Sequence, residues 1–108
     1  MPSAKRAAHT YWAVVNNPAG AGNATLARAS DAGITATEGS GAVAVVLPQN
    51  VTVCANVADR NNAGTTVPNS GFAQTNSAAA NANAIEVRTR DEKGANEDGD
   101  FHLVVVCP

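Results

Sequence analysis

Two cysteines, two histidines and one acidic run are the residues of this 108-residue chain whose types and spacing could do chemistry. Cys54 and Cys107 both fall in segments that read as strands, and neighbouring strands bring Cα atoms within the roughly 4.4–6.8 Å that a disulfide requires. The same pair also reads as two buried thiols acting as small apolar side chains, the form expected in a reducing compartment. A zinc site needs three or four closely spaced ligands. With His9 and His102 the only histidines, and no CxxC or HxxxH spacing, the sequence supplies no metal site.

His102 is the one polar side chain in the apolar run 101–107. Such a residue can be a general base or a pH-sensitive contact, but a structural histidine is the simpler reading. No G-x-S-x-G or similar device exposes a nucleophile for it. The acidic segment 91–100 places oxygen ligands at Asn96, Asp98 and Asp100, spaced as in a calcium loop. Phe101 then stands where such a loop needs glycine, and no glutamate closes it, so a solvated hairpin loop is expected instead. The sequons at Asn23 and Asn50 matter only in a eukaryotic secretory setting, which nothing in the sequence indicates. No catalytic, cofactor or metal residue is assigned, and the chain is not expected to be an enzyme.

The elements that would position these residues are strands. Val, Ile and Thr recur in short runs between Gly, Pro, Asn and Asp clusters, and no window carries apolar residues at helical spacing. Strands are predicted at 10–16, 25–30, 34–38, 42–47, 51–58, 71–76, 84–90 and 101–107. The separators 16–20, 31–33, 39–41 and 48–50 hold residues that fix φ or tolerate positive φ, as turns require. The fold class is therefore all-β: a single small β-sandwich or jelly-roll-like domain of about eight short strands, in which doubling or closing the sheet limits exposed edges.

Two strands differ in their alternation. Residues 85–90 alternate apolar with charged or polar, so one face meets a core and the other water. Residues 101–107 are apolar on both faces except at His102, which marks a central strand whose second face also needs cover, from a sheet, a loop or a neighbouring subunit. Tyr11 and Trp12 are adjacent, so on a strand they point to opposite faces, one to the core and the other to a contact. Tyr11, Trp12, His102, Val104 and Val106 are the candidate interface residues. Segments 61–70 and 78–83 read as surface loops. The opening 1–9 reads as a flexible arm preceding a domain at 10–108.

Composition narrows the function classes. Aromatic residues make up 4% and much of the 44% hydrophobic fraction is alanine, so large core fillers are scarce and burial against identical subunits becomes an attractive source of stability. A net charge of −2, with no basic cluster beyond Lys5 and Arg6, lacks the footprint of nucleic-acid binding. The longest apolar run is far shorter than the roughly 20 residues of a membrane helix, and no secretory signal opens the chain.

The ordered motifs TYWAVVN, TLARAS, VAVVLPQNVTVCANVA, NAIEVRTRDEKG and FHLVVVCP resemble a recurrent, uncharacterised β-domain of bacterial and phage proteins, over residues 11–108. Such domains look like the C-terminal heads of collagen-like or tail-fibre-like proteins, which implies a trimer-forming structural module. The long turn at 16–23, the Ala-rich stretch 78–84 and the lack of an upstream fibre repeat depart from that pattern. They favour a free-standing module. The expectation is a non-enzymatic homo-oligomer, trimeric by resemblance, serving a virion or extracellular surface as a capsid decoration or tail accessory protein. The alternative is a ligand-recognition module, carbohydrate-binding for example, that uses the Asn-rich loop 61–70.

Overall fold

A computed structural model describes residues 8–18, 22–39, 41–61 and 71–108. Its strands are β1 (His9–Asn16), β2 (Thr25–Ala29), β3 (Thr35–Glu38), β4 (Val43–Val46), β5 (Ala55–Arg60), β6 (Phe72–Ser77), β7 (Ala84–Arg90) and β8 (Phe101–Cys107). They form two antiparallel sheets in the order β2-β1-β8-β5 and β3-β4-β7-β6, packed as a small β-sandwich. β8 lies in the interior of the first sheet, between β1 and β5.

The period-2 alternation of each strand decides which side chains meet in the middle. From the first sheet come Tyr11, Ala13, Val15, Phe101, Leu103 and Val105, and from the second come Val43, Val45, Ile85 and Val87, all buried. β-branched valines predominate among the fully buried side chains, and only Phe101 among those is aromatic. A narrow gap filled by short stiff side chains suits a pleated surface, where branched residues lose little rotamer freedom.

Hairpins join β1 to β2, β3 to β4 and β6 to β7, while the chain crosses between sheets after β2, β4, β5 and β7. The β3 to β4 turn closes with the Gly39 amide donating to the Ala42 carbonyl at 2.8 Å. Segment 91–100, expected as a hairpin loop, is instead a crossing, because β7 and β8 belong to different sheets. It is tied down locally: Asp91 Oδ1 accepts from the Lys93 and Ala95 amides, and the Thr89 hydroxyl donates to the Glu97 carbonyl at 2.6 Å.

The strand expected at 51–58 begins at Ala55, so Cys54 precedes it in the turn. Val51 is buried in the connection rather than in a ladder, which is why an apolar run there imitates an earlier strand start. His9, counted with the arm from sequence, pairs with Cys107 as the first residue of β1. Residues 1–7 of that arm and 62–70 of the Asn-rich loop lie outside the described residues.

Where β5 leaves the first sheet for β6, a buried arginine joins the layers. Arg60 Nη1 donates to the Arg90 carbonyl at 3.0 Å and to Glu97 Oε1 at 2.7 Å. Gly71 and Gly99 flank it: a Cβ at either would overlap the Arg60 guanidinium, and at Gly71 also the Arg90 carbonyl. Gly71 also has φ of +132°, a backbone region that side-chain-bearing residues avoid.

Candidate functional site

Cys54 and Cys107 are joined by a disulfide with a Cα separation of 4.4 Å. Since Ala55 pairs with Val106, the bridge stands where the next rung of the β5–β8 ladder would be. It closes a loop spanning 53 positions and fixes the start of edge strand β5 to the end of central strand β8. In the chain-entropy account, a loop of that length corresponds to about 4 kcal/mol.

Tyr11 and Trp12 do point to opposite faces. Tyr11 is buried, its hydroxyl donating to Gln49 Oε1 at 2.6 Å, so it belongs to the core and leaves the candidate interface set. Trp12 points outward and is 40% exposed. Its backbone is held by a reciprocal pair with Ser30: the Trp12 amide donates to Ser30 Oγ at 3.0 Å, and the Ser30 amide to the Trp12 carbonyl at 2.9 Å. The Ser30 hydroxyl in turn donates to Asp31 Oδ1 at 2.6 Å, and His9 Nε2 lies 3.3 Å from Asp31 Oδ2. The Ser30 hydrogen bond foremost, aided by His9, holds the Asp31 carboxyl below its ordinary 3.8.

Val104, Val106 and His102 share the outward face with Trp12. The register sets Trp12, Val104 and Val57 in one row, Thr10, Val106 and Ala55 in the next, and Arg28, Val14, His102 and Asp59 in a third. Trp12, Val57, Val104 and Val106 are exposed large apolar residues, and Val53 extends that character into the turn before Cys54. His102 is half-buried between Val14 and Asp59 on the flanking strands, and its Nε2 is buried without a hydrogen-bond partner. On this second face of β8, Val104 and Val106 stay 37% and 45% exposed, while the neighbouring Val14 is buried.

Val57, Arg28 and Asp59 were not expected on this face. The alternation Val51, Val53, Val57 reads as a core-facing phase, yet in β5 that phase (Ala55, Val57, Asp59) points outward, and Asp59 lies beyond the strand expected at 51–58. For Arg28 the signal is hidden by a bulge, since the β1–β2 register slips between Val14 and Val15.

At one end of the sandwich an open cleft of about 140 Å³ is lined by Asn17, Glu38, Thr89, Asn96, Glu97 and Asp98 among others. Its carboxylates are engaged from within: Glu97 pairs with Arg60, and Glu38 Oε1 accepts from the Asn23 amide at 3.0 Å. Among the described residues no three His, Cys, Asp or Glu side chains are grouped as metal ligands. Comparison with protein families, with curated proteins and with solved structures finds no match.

Proposed function

We propose that this chain is a non-enzymatic structural module that assembles with copies of itself through the outer face of its first sheet, within a larger virion or extracellular surface assembly. The observation that carries the reading is the contiguous exposed set Trp12, Val57, Val104 and Val106 on one sheet face. Leaving adjoining apolar side chains in water forgoes about 25 cal/mol for each Å² that a partner could cover. A second copy suits the face because it carries both an exposed cation, Arg28, and an exposed anion, Asp59, so two such faces do not repel. The virion or surface setting rests on the sequence resemblance; the face itself carries the self-association and leaves the number of copies to the contact geometry.

Sedimentation velocity of the 10.9 kDa chain over the micromolar range tests the reading. A species heavier than the monomer, growing with concentration, is expected. A monomer throughout, with no binding to any particle, overturns it.

A further inference from the structure

The three rows on the outer face of the first sheet are not alike along the strands. Two rows are apolar apart from Thr10 and, past the end of β2, Ser30 beside Trp12; the third carries Arg28 on edge strand β2 and Asp59 on edge strand β5, with the buried Val14 and half-buried His102 between them. Three strand spacings of about 4.8 Å separate those two edges, so Arg28 and Asp59 stand roughly 14 Å apart at Cα level, too far to pair within one chain. Both are exposed.

Two such faces laid together with aligned strands follow the commonest mode of sheet-on-sheet packing. An isologous contact then has a two-fold axis in the plane between the faces, running either across the strands or along them. An axis across the strands, centred on the Trp12 row, sets the Arg28, His102 and Asp59 row against Thr10, Val106 and Ala55 of the other copy. Charges would then lose water without gaining partners, which is costly. An axis along the strands lays each row over its own counterpart, reversed from edge to edge. Centring that axis between β1 and β8, the midline of the four strands, overlaps all of them. Trp12 of each copy then meets Val104 of the other, Thr10 meets Val106, Val14 meets His102, and Arg28 of each copy faces Asp59 of the other.

We infer that a second copy of this chain docks on this face through a two-fold axis parallel to the strands, with Arg28 of each copy paired to Asp59 of the other at the two rims. The inference rests on the reading of the face as a self-association surface. Arg28 has an interaction within its own chain as well, but a guanidinium carries five donors and can serve both. Four strands at about 4.8 Å and up to seven residues at about 3.3 Å give a footprint of roughly 450 Å² per copy before side-chain relief is counted. Two copies thus approach the low end of specific interfaces, where affinity is modest and rim charges decide orientation.

Charge reversal tests the arrangement. R28D and D59R each place like charges together at both rims and should weaken association about tenfold or more at low salt, while the R28D/D59R double variant restores it. Sedimentation equilibrium gives the constants, and unchanged thermal melting of each variant shows that the fold is intact. If W12K abolishes association while R28D and D59R leave it unchanged, or if the assembly is a trimer, the two-fold arrangement is overturned and the face survives as the contact. If the unmodified chain stays monomeric, the self-association reading fails and this inference with it.

Discussion

The two outer faces of the sandwich are built by the same alternation and are chemically opposite. On the second sheet the outward positions include Thr37, Gln74, Asn76, Glu86, Arg88 and Arg90, and many of their polar groups are engaged within the chain. Arg90 donates to Gln74 Oε1 at 2.6 Å and, through Nη1, to the Gly94 carbonyl and Asn96 Oδ1, while Arg88 reaches the Gly41 carbonyl. On the first sheet the outward positions include Trp12, Val57, Val104 and Val106, all exposed, beside Thr10, Arg28, His102 and Asp59. A sheet's inner face is dictated by the core. Its outer face is free, so what stands there reports on surroundings. The second face is finished for water, and the first is not.

The largest effect tests what holds the unfinished face in place. The disulfide lies in the first sheet and is the only covalent tie in the fold. C54A/C107A should lower unfolding free energy by about 4 kcal/mol. Against the roughly 5–15 kcal/mol of a domain this size, that is a large fraction. Denaturant unfolding with and without reductant should show the same gap in the unmodified chain and none in the double variant. An equal stability in both states would mean that β5 is held by its ladder alone.

Next in size is the junction where the faces are joined through Arg60. A G71A change forces a side chain into a positive-φ site and against the Arg90 carbonyl and the Arg60 guanidinium, whose hydrogen bonds to Glu97 and Arg90 keep it from moving aside. Strain and overpacking together predict a loss of about 2–3 kcal/mol. G22A, which has open space around its Cβ, carries only the conformational part of that cost and should lose less.

Eight strands were legible in the sequence because alternation and turn chemistry agree at nearly every boundary, most clearly at Ala84–Arg90 and Phe101–Cys107. The doubly apolar β8 was legible too, and with it the prospect of an unfinished face. Three things were not. Val51 and Val53 imitate strand residues ahead of the true start of β5, and the apolar phase they share with Val57 reads as core-facing although Val57 points outward. The slip between Val14 and Val15 concealed that Arg28 looks outward. Arg60 stands past the end of the strand expected at 51–58, and the approach of Gly71 and Gly99 shows why it is buried. Each miss comes from a contact between residues distant in sequence, which local pattern does not encode.

A matched pair of aromatics sharpens the comparison between faces directly. Trp12 and Phe72 are each 40% exposed, one on each outer face. If exposure alone governed association, W12A and F72A would act alike. The contrast drawn above predicts that W12A weakens self-association by about 2 kcal/mol, roughly thirtyfold, as for a central aromatic anchor, while F72A leaves it within error. Equal losses in sedimentation would erase the distinction between the faces.

The smallest effect comes from the polar clasp beneath Trp12. Asp31 accepts from Ser30, whose own Oγ and amide hold the Trp12 backbone. Because the folded-state carboxyl titrates below 3.8, its contribution to stability is fully present above that pH and disappears as pH falls through the lowered folded value. Melting should therefore decline slightly on acidification below about pH 4, beyond the decline of a D31N variant, which has no carboxyl to protonate. The site is exposed, so the difference is small. A decline identical in both chains would show that the clasp adds nothing to the fold, and that Trp12 is positioned by its ladder with β8.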